Sequence, residues 1–449
     1  MDHGQLSDAK GRGGVNRSTA FQVKGWCPGA LRPMQSGDGL VVRIRPQSAT
    51  LSPHELTVLA DAARRFGNGH IDLTRRANLQ LRGVSESSLP SLHDVIARLG
   101  LLDDSPDGEA VRNVMISPLA GIDPAEVLDV RSLGREIARR LTSEKSLWAL
   151  PSKFGFIVDG GGVLSLAEQR ADVRLLAIAR GREVALAVGL GTRLGVEWLG
   201  SIPLEAAVAI AIEIGLAFID VASREPRQRM RELSDEGLAF IRSAMKSRLD
   251  RLHESPRQAA LPPKHRVGLI ELGAGRFAAG IAAAFGRVEA EQLRKLADAI
   301  VAHGGEEIRF SPWRTFYTGL PSRPSALAIL DAAARDGFII DPRDPLLQIE
   351  ACPGAPACPS TALDTRGDGR RIAGLLPRFH FAGTVHVSGC AKGCAKSGTA
   401  DLVLVGCEDR YGIAHNATAQ DHATCHLSFA ELAADPGSIF GTDQGHRHD

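Results

Sequence analysis

Four cysteines carry the most specific chemistry in this 449-residue sequence: Cys352 and Cys358 in ACPGAPACPS, then Cys390 and Cys394 in VSGCAKGCAKSG. Five residues separate the first pair, 31 lie between the pairs, and three separate the second. An iron-sulfur cube needs four thiolates converging on one point, and the Gly and Pro around each pair suit loops that turn tightly around inorganic sulfide. A structural zinc site is the alternative. Zinc ligand pairs are usually separated by about two to four residues, so the gap of five favours a 4Fe-4S cluster. Cys27, Cys407 and Cys425 have no such pattern and are expected to be structural or incidental.

A second constellation is cationic. Arg43 and Arg45 in GLVVRIRP lie two apart on a strand, so both side chains leave the same face. Arg76 and Gln80 in LTRRANLQLRG, Arg112 and Asn113 in VRNVMISP, and Lys153 in LPSKFG fall at strand edges or loops. Guanidinium forks match carboxylates, although each of these residues taken alone is more often a solvated charge or surface pair. GLGTRLG at Gly189–Gly195 lacks the dinucleotide-binding spacing and reads as a plain turn. His415, His422 and His426 fall in a polar stretch where solvated histidines are the simpler reading.

The elements that position these residues are organised as a repeat. LSPHELTVLADAARRFGNGHIDLTRRANLQLRG is echoed by VEAEQLRKLADAIVAHGGEEIRFSPWRTFYTGL at an offset of 237, each copy reading as strand, helix, Gly turn and strand. A fainter echo links Ala171, Asp172 and Val173 to Ala400, Asp401 and Leu402 at an offset of 229. The chain is therefore expected to be a duplicated half. Leu204–Val221 and Leu233–Leu249 read as helices, and HESPRQAALPPKH reads as the linker between halves. The expected domains are 21–100 joined to 262–335, 101–261, and 336–440 with the cluster; residues 1–20 and the tail 441–449 are expected to be disordered.

Composition narrows the function class. Lys plus Arg is 53 against 52 for Asp plus Glu, so no global field attracts nucleic acid or an anionic membrane. The most apolar stretch, Leu204–Ala222, is interrupted by Glu205, Glu213 and Asp220, which argues against a membrane span. Seven cysteines, four of them grouped, fit a reducing cytoplasm better than a disulfide framework.

Taken together, the cysteine quartet, LTRRANLQLRG, RNV, PSKF and the duplication resemble the sirohaem-dependent nitrite and sulfite reductase superfamily. Within it, GWCPGALRPMQSGDGLVVRIRP and HVSGCAKGCAK are similar to the precorrin-3B synthase family. The resemblance implies an α+β fold: duplicated halves, a ferredoxin-like repeat domain and two mixed α/β catalytic domains. It implies that Cys352, Cys358, Cys390 and Cys394 hold a 4Fe-4S cluster, and that Arg43, Arg45, Arg76, Gln80, Arg112 and Lys153 line a tetrapyrrole site. Three departures from the reductases stand out. Gly155 occupies the place of a second lysine, Ala77 that of a glutamine, and Lys392 that of an asparagine.

The reaction implied is dioxygen-dependent hydroxylation and lactone formation on precorrin-3A, giving precorrin-3B. A mononuclear non-haem iron would activate oxygen, and NADH would supply electrons through a separate reductase. Ligands for that iron are not assigned, although His380, His386 and Asp401 lie near the quartet in sequence. The alternatives are a nitrite or sulfite reductase with bound sirohaem, and a non-catalytic electron carrier.

Overall fold

The computed structural model describes residues 27–256 and 265–440. The expected disordered segments at 1–20 and 441–449, and 257–264 of the linker, lie outside the described residues. The chain divides into two compact units, Gly25–Leu347 and a second one that contains Gln348–Phe440.

The 237-residue echo is a structural repeat in the first unit. Helix Pro53–Phe66 starts at a capping box: Ser52 Oγ accepts from Glu55 N (3.2 Å), and the Glu55 carboxylate accepts from Ser52 N (2.7 Å). Its buried face is Leu56, Leu59, Ala60 and Ala63; the same face of helix Ala290–Ala302, 237 residues later, is Leu293, Leu296, Ala297 and Ile300. The two helices pack together within one shared core. Each fully buried leucine contributes about 2 kcal/mol relative to an exposed one.

Two antiparallel five-stranded sheets carry these helices. The first has the order Met34–Ser36, Gly39–Ile44, Leu79–Val84, His70–Leu73, Arg287–Glu289, and the second Gly268–Gly273, Arg276–Ala282, Thr315–Leu320, Ile308–Phe310, Thr50–Leu51. The last strand of each sheet comes from the other half. The strand read as leading into each helix therefore does not complete a β-α-β unit within its own copy. Val288 pairs with Ile71, and Leu51 with Ile308.

The same unit contains a mixed sheet, ordered Gly195–Pro203, Glu183–Thr192, Val173–Arg180, Phe156–Asp159, Val114–Ile116. Its last three strands are parallel and the remaining pairs antiparallel. Gly189–Gly195 lies in the hairpin of Glu183–Thr192 and Gly195–Pro203, as its plain-turn reading expects. Helix Ala207–Arg224 is preceded by a 3-10 turn from Leu204. By length and composition Leu204–Arg224 is long and apolar enough to cross a membrane, yet Ile210, Ile214, Phe218 and Val221 are buried in the core of this sheet. The next helix is shorter than the expected Leu233–Leu249: Ser234 caps it by accepting from Gly237 N (3.0 Å), and regular helix ends at Met245.

The second unit is built on another mixed sheet, ordered Ile349–Ala351, Val385–Ser388, Ala400–Cys407, Arg410–Ala417, Cys425–Leu427, with two parallel pairings followed by two antiparallel ones. Val385 and Leu402 stand in register, as do Phe156 and Val173 in the first unit. Both positions are 229 residues apart. The duplication thus includes the α/β sheets, and the fold is the α+β, duplicated reductase-like arrangement.

Candidate cluster and cationic sites

The four cysteines lie on loops that leave the parallel strands of the second unit. Cys352 directly follows Ile349–Ala351, and Cys390 lies two residues beyond Val385–Ser388. Gly389 N donates to Cys352 Sγ (3.2 Å), and Ser388 Oγ donates to the Cys390 carbonyl (2.8 Å). Gly393, at φ +61°, makes the left-handed turn that brings Cys394 round after Cys390. Cys352 and Cys390 are buried, Cys358 is half-buried and Cys394 is exposed.

The thiols lie within each other's electrostatic reach. Burial raises the Cys390 thiol, helped by Cys352 and Cys358 and opposed by the Lys392 amide and charge. Although Cys394 is exposed as a residue, desolvation of its sulfur by the surrounding loops, opposed by Lys392 and helped by Cys352, Cys390 and Cys358, pushes its thiol up to about 11. Metal ligation takes the deprotonated form, and a cationic inorganic partner offsets the mutual repulsion of neighbouring thiolates. Among the described residues, no group of three or more His, Cys, Asp or Glu is positioned to hold a single metal ion.

That finding bears on the other expected iron. His380 is exposed, whereas His386 is fully buried on its strand. The Asp401 carboxylate is occupied by Thr384 N (2.7 Å) and Thr384 Oγ1 (2.9 Å). The described residues do not assemble these three into a mononuclear site.

The cationic residues divide into two groups. Arg45 is only 4% exposed and forms an ion pair with Glu109, itself 2% exposed. Arg112 forms a bidentate pair with Asp103 (2.8 and 2.8 Å) and donates to the Arg45 carbonyl (3.2 Å). The guanidiniums of Arg45 and Arg112, both expected to line the site, are thus paired with carboxylates of the fold. A buried pair of this kind is costly to break, because the surviving charge has no water.

Arg43, Arg76 and Lys153 differ, since among the described residues none of them is in ion-pair contact with a carboxylate. Arg43 stands opposite Gln80 across the strand pair, and its Nε is sealed from solvent without a hydrogen-bond partner among the described residues. Burial, with Arg45 and Arg76 nearby, lowers Arg43 to about 10, still charged at neutral pH. Arg76 springs from the turn Thr74–Asn78, where Ala77 takes the left-handed φ of +55°. Its guanidinium donates to the carbonyls of Ser152 (3.3 Å) and Lys153 (2.7 Å). Asn113 Nδ2 reinforces that loop by donating to the carbonyls of Ser152 and Phe154, both at 3.1 Å. Lys153 itself is exposed.

Gly155 donates its amide to Asp172 Oδ2 (2.8 Å), and a Cβ there would meet nothing nearer than 3.7 Å. Packing therefore does not explain why a lysine is missing.

Sequence reasoning set Cys27 aside, yet the structure places it among these cations. Its thiol lies close to Ser152 and in the fields of Arg43, Arg76 and Lys153. Burial alone raises this thiol, but the cations and Ser152 win and lower it. Asp172 and Arg229 were also missed: they pair at 3.0 Å and both lie within electrostatic reach of Arg76. A solitary cysteine has no spacing to betray it, and Arg229 is remote from Arg76 in sequence.

Known proteins match this architecture. The nitrite/sulfite reductase ferredoxin-like half domain matches residues 32–99 and 270–318, and the nitrite and sulphite reductase 4Fe-4S domain matches residues 107–250, a range that does not include the four cysteines. A precorrin-3B synthase from Sinorhizobium is 35% identical over 406 residues, covering 90% of this chain and 85% of that protein. The assimilatory ferredoxin-dependent nitrite reductase of Haloferax mediterranei is 24% identical, covering 82% and 70%. The Mycobacterium tuberculosis NirA structure superposes with a TM-score of 0.73 at 21% identity, over 91% of this chain and 82% of that one, and supports the fold. These relatives are oxidoreductases, and the chain belongs to the precorrin-3B synthase family within the nitrite and sulfite reductase superfamily.

Proposed function

We propose that this chain is a monooxygenase that converts precorrin-3A to precorrin-3B. One atom of dioxygen enters a meso carbon as a hydroxyl, and a ring A acetate closes a lactone. The other atom leaves as water with two electrons drawn from NADH through a separate reductase. The observation supporting this reading is the group Arg43, Arg76 and Lys153, cations without an ion-paired carboxylate among the described residues, beside a strand pair. Uncompensated, partly buried positive charge is costly unless a polyanion completes it, and acetate and propionate side chains are such anions.

In this scheme Arg43 and Arg76 each take a ring carboxylate and Lys153 acts as a point charge at the exposed rim. Asn113 and Arg76 hold the Ser152–Lys153 loop so that these cations keep a fixed spacing. Gly155 withholds the further cation that a small oxyanion substrate would use. A 4Fe-4S cluster on the cysteine quartet supplies electrons singly when bound. No step is assigned to a mononuclear iron, because the described residues do not gather ligands for one. Free thiols and a balanced charge support a cytoplasmic setting.

Anaerobic purification with counts of iron, sulfide and tetrapyrrole per chain, followed by labelled dioxygen, reductant and precorrin-3A, tests the reading. The expected result is cluster iron and sulfide, no resident pigment, and one labelled oxygen in a lactone product. Tightly held sirohaem together with ready reduction of sulfite or nitrite overturns it in favour of a reductase.

A further inference from the structure

We propose that the Thr365 hydroxyl is a hydrogen-bond donor to the sulfur of Cys352 and sets how readily a cluster on the cysteine quartet accepts an electron. This role rests on the quartet holding a 4Fe-4S cluster, whatever ring the cations bind.

Cys352 Sγ has two polar groups against it. Gly389 N donates to it at 3.2 Å, and Thr365 Oγ1 lies 3.5 Å away. The same hydroxyl donates to the Cys352 carbonyl (2.8 Å). A threonine hydroxyl carries a single proton. While Cys352 is a thiol, it can donate to Thr365 and leave that proton on the carbonyl. A deprotonated sulfur is an acceptor only, and it competes with the carbonyl for the proton. Four thiols within electrostatic reach of one another, one of them already accepting from a backbone amide, suit a cluster's need for deprotonated, hydrogen-bonded sulfur.

The fold holds the hydroxyl in that place. Thr365 opens helix Thr365–Leu375, which Asp364 caps by accepting from Gly367 N (3.0 Å). One turn on, Asp368 accepts from the buried Tyr411 hydroxyl (2.6 Å), pinning that face of the helix to strand Arg410–Ala417. Gly354, at φ +64°, admits the hydroxyl, since a Cβ there would lie 2.5 Å from Thr365 Oγ1. Thr365 is fully buried, so bulk water does not compete for its proton.

Uptake of an electron adds one negative charge, shared with the thiolate sulfurs. A donor aimed at a ligand sulfur stabilises that charge and raises the midpoint potential. The Gly389 amide is fixed by the backbone, whereas the Thr365 hydroxyl can turn from carbonyl to sulfur as the charge grows. Thr365 thus acts through Cys352 as a tuning residue and touches no substrate.

The test uses the full chain, loaded anaerobically with its cluster. Redox titration with dithionite, read by electron paramagnetic resonance, gives the midpoint potential of the wild type and of Thr365→Val, Thr365→Ala and Thr365→Ser. Thr365→Val keeps the shape and removes the donor. It should shift the reduction equilibrium about tenfold toward the oxidised cluster, a fall of about 59 mV in the midpoint. Thr365→Ala repeats the measurement with less bulk, and Thr365→Ser, which keeps the hydroxyl, should stay near the wild type. Iron and sulfide counts should match the wild type throughout.

An unchanged midpoint in Thr365→Val, or a serine variant that falls as far as the valine one, overturns the inference. Loss of the cluster from both Thr365→Val and Thr365→Ala does so too, because it makes Thr365 an assembly residue. If the wild-type chain assembles no cluster, the cluster reading falls and takes this inference with it. If it assembles one whose potential ignores the hydroxyl, the inference alone falls.

Discussion

Two copies of one α/β sheet differ most at the ends of their parallel strands, where only the second carries cysteines. Ile116, Val158 and Leu175 stand in register in the first copy, and Ala351, Val387 and Leu404 in the second. The next residue is Ser117 in one and Cys352 in the other. Gly160 N donates to Ser117 Oγ (2.8 Å), and at the equivalent place Gly389 N donates to Cys352 Sγ (3.2 Å). In both copies an aspartate braces the neighbouring strand: Asp172 accepts from Gly155 N, and Asp401 from Thr384 N. The scaffold is thus the same down to single amides, and the chemistry differs by oxygen against sulfur.

What surrounds that atom decides the outcome. In the first copy, fully buried Asp159 closes the loops by accepting from Ser117 Oγ, Gly161 N, Ser165 Oγ and Leu166 N at 2.8–3.2 Å. The corresponding residue in the second copy is Ser388, which bonds to the Cys390 carbonyl and leaves the loop ends to thiols.

The ferredoxin-like copies diverge similarly. Arg43 faces Gln80, but its counterpart Gly280 faces Tyr317, which is fully buried and donates its hydroxyl to the Arg266 carbonyl (2.9 Å). A Cβ on Gly280 would lie 2.5 Å from that same carbonyl. One copy presents cations; the other has filled the equivalent space.

The strongest way to break this contrast is Cys352→Ser, which writes the first copy's residue into the second. It should abolish cluster absorbance and lower turnover by more than about a hundredfold, while Cys407→Ser does neither; full iron and sulfide content in the Cys352 variant refutes the ligand assignment. Asp159→Ala attacks the other side of the comparison. Stranding several buried donors should cost roughly 2–4 kcal/mol in urea unfolding.

Arg43→Gly imitates the filled copy, and tetrapyrrole affinity should fall about tenfold or more, read by fluorescence titration. The smallest effect concerns Glu126, in the first copy's loop. Burial, with Asp123 and Asp129 nearby, raises its carboxyl to about 8 although Gly121 N donates to it (2.6 Å). A raised pKa means the folded state holds a proton that the unfolded chain has released, so this contribution is present below about 4.5 and is lost as pH climbs through 8. Glu126→Gln should flatten the stability profile across that window.

Much of this was legible in the residues. The 237 offset survives because Leu56, Leu59, Ala60 and Ala63 repeat as Leu293, Leu296, Ala297 and Ile300, and helical spacing is a strong signal. The cysteine quartet was legible for the same reason: spacing. The partner that neutralises Arg45 was not, because a carboxylate 64 residues away leaves no local pattern, and Asp103, nine residues before Arg112, sits at no regular helical or strand spacing from it. Two-residue Thr50–Leu51 is too short to show the alternation that marks a strand, and its sheet is chosen by tertiary pairing.

The exchanged edge strands have a consequence for synthesis. Arg287, which pairs with Asp72 at 2.8 and 3.0 Å, lies 215 residues downstream of it. A nascent chain must therefore leave the His70–Leu73 edge bare until most of the first unit has left the ribosome, and a bare edge recruits strange strands. Neither half can close its own sheet, so a gene cut between them yields fragments that fold only in each other's company.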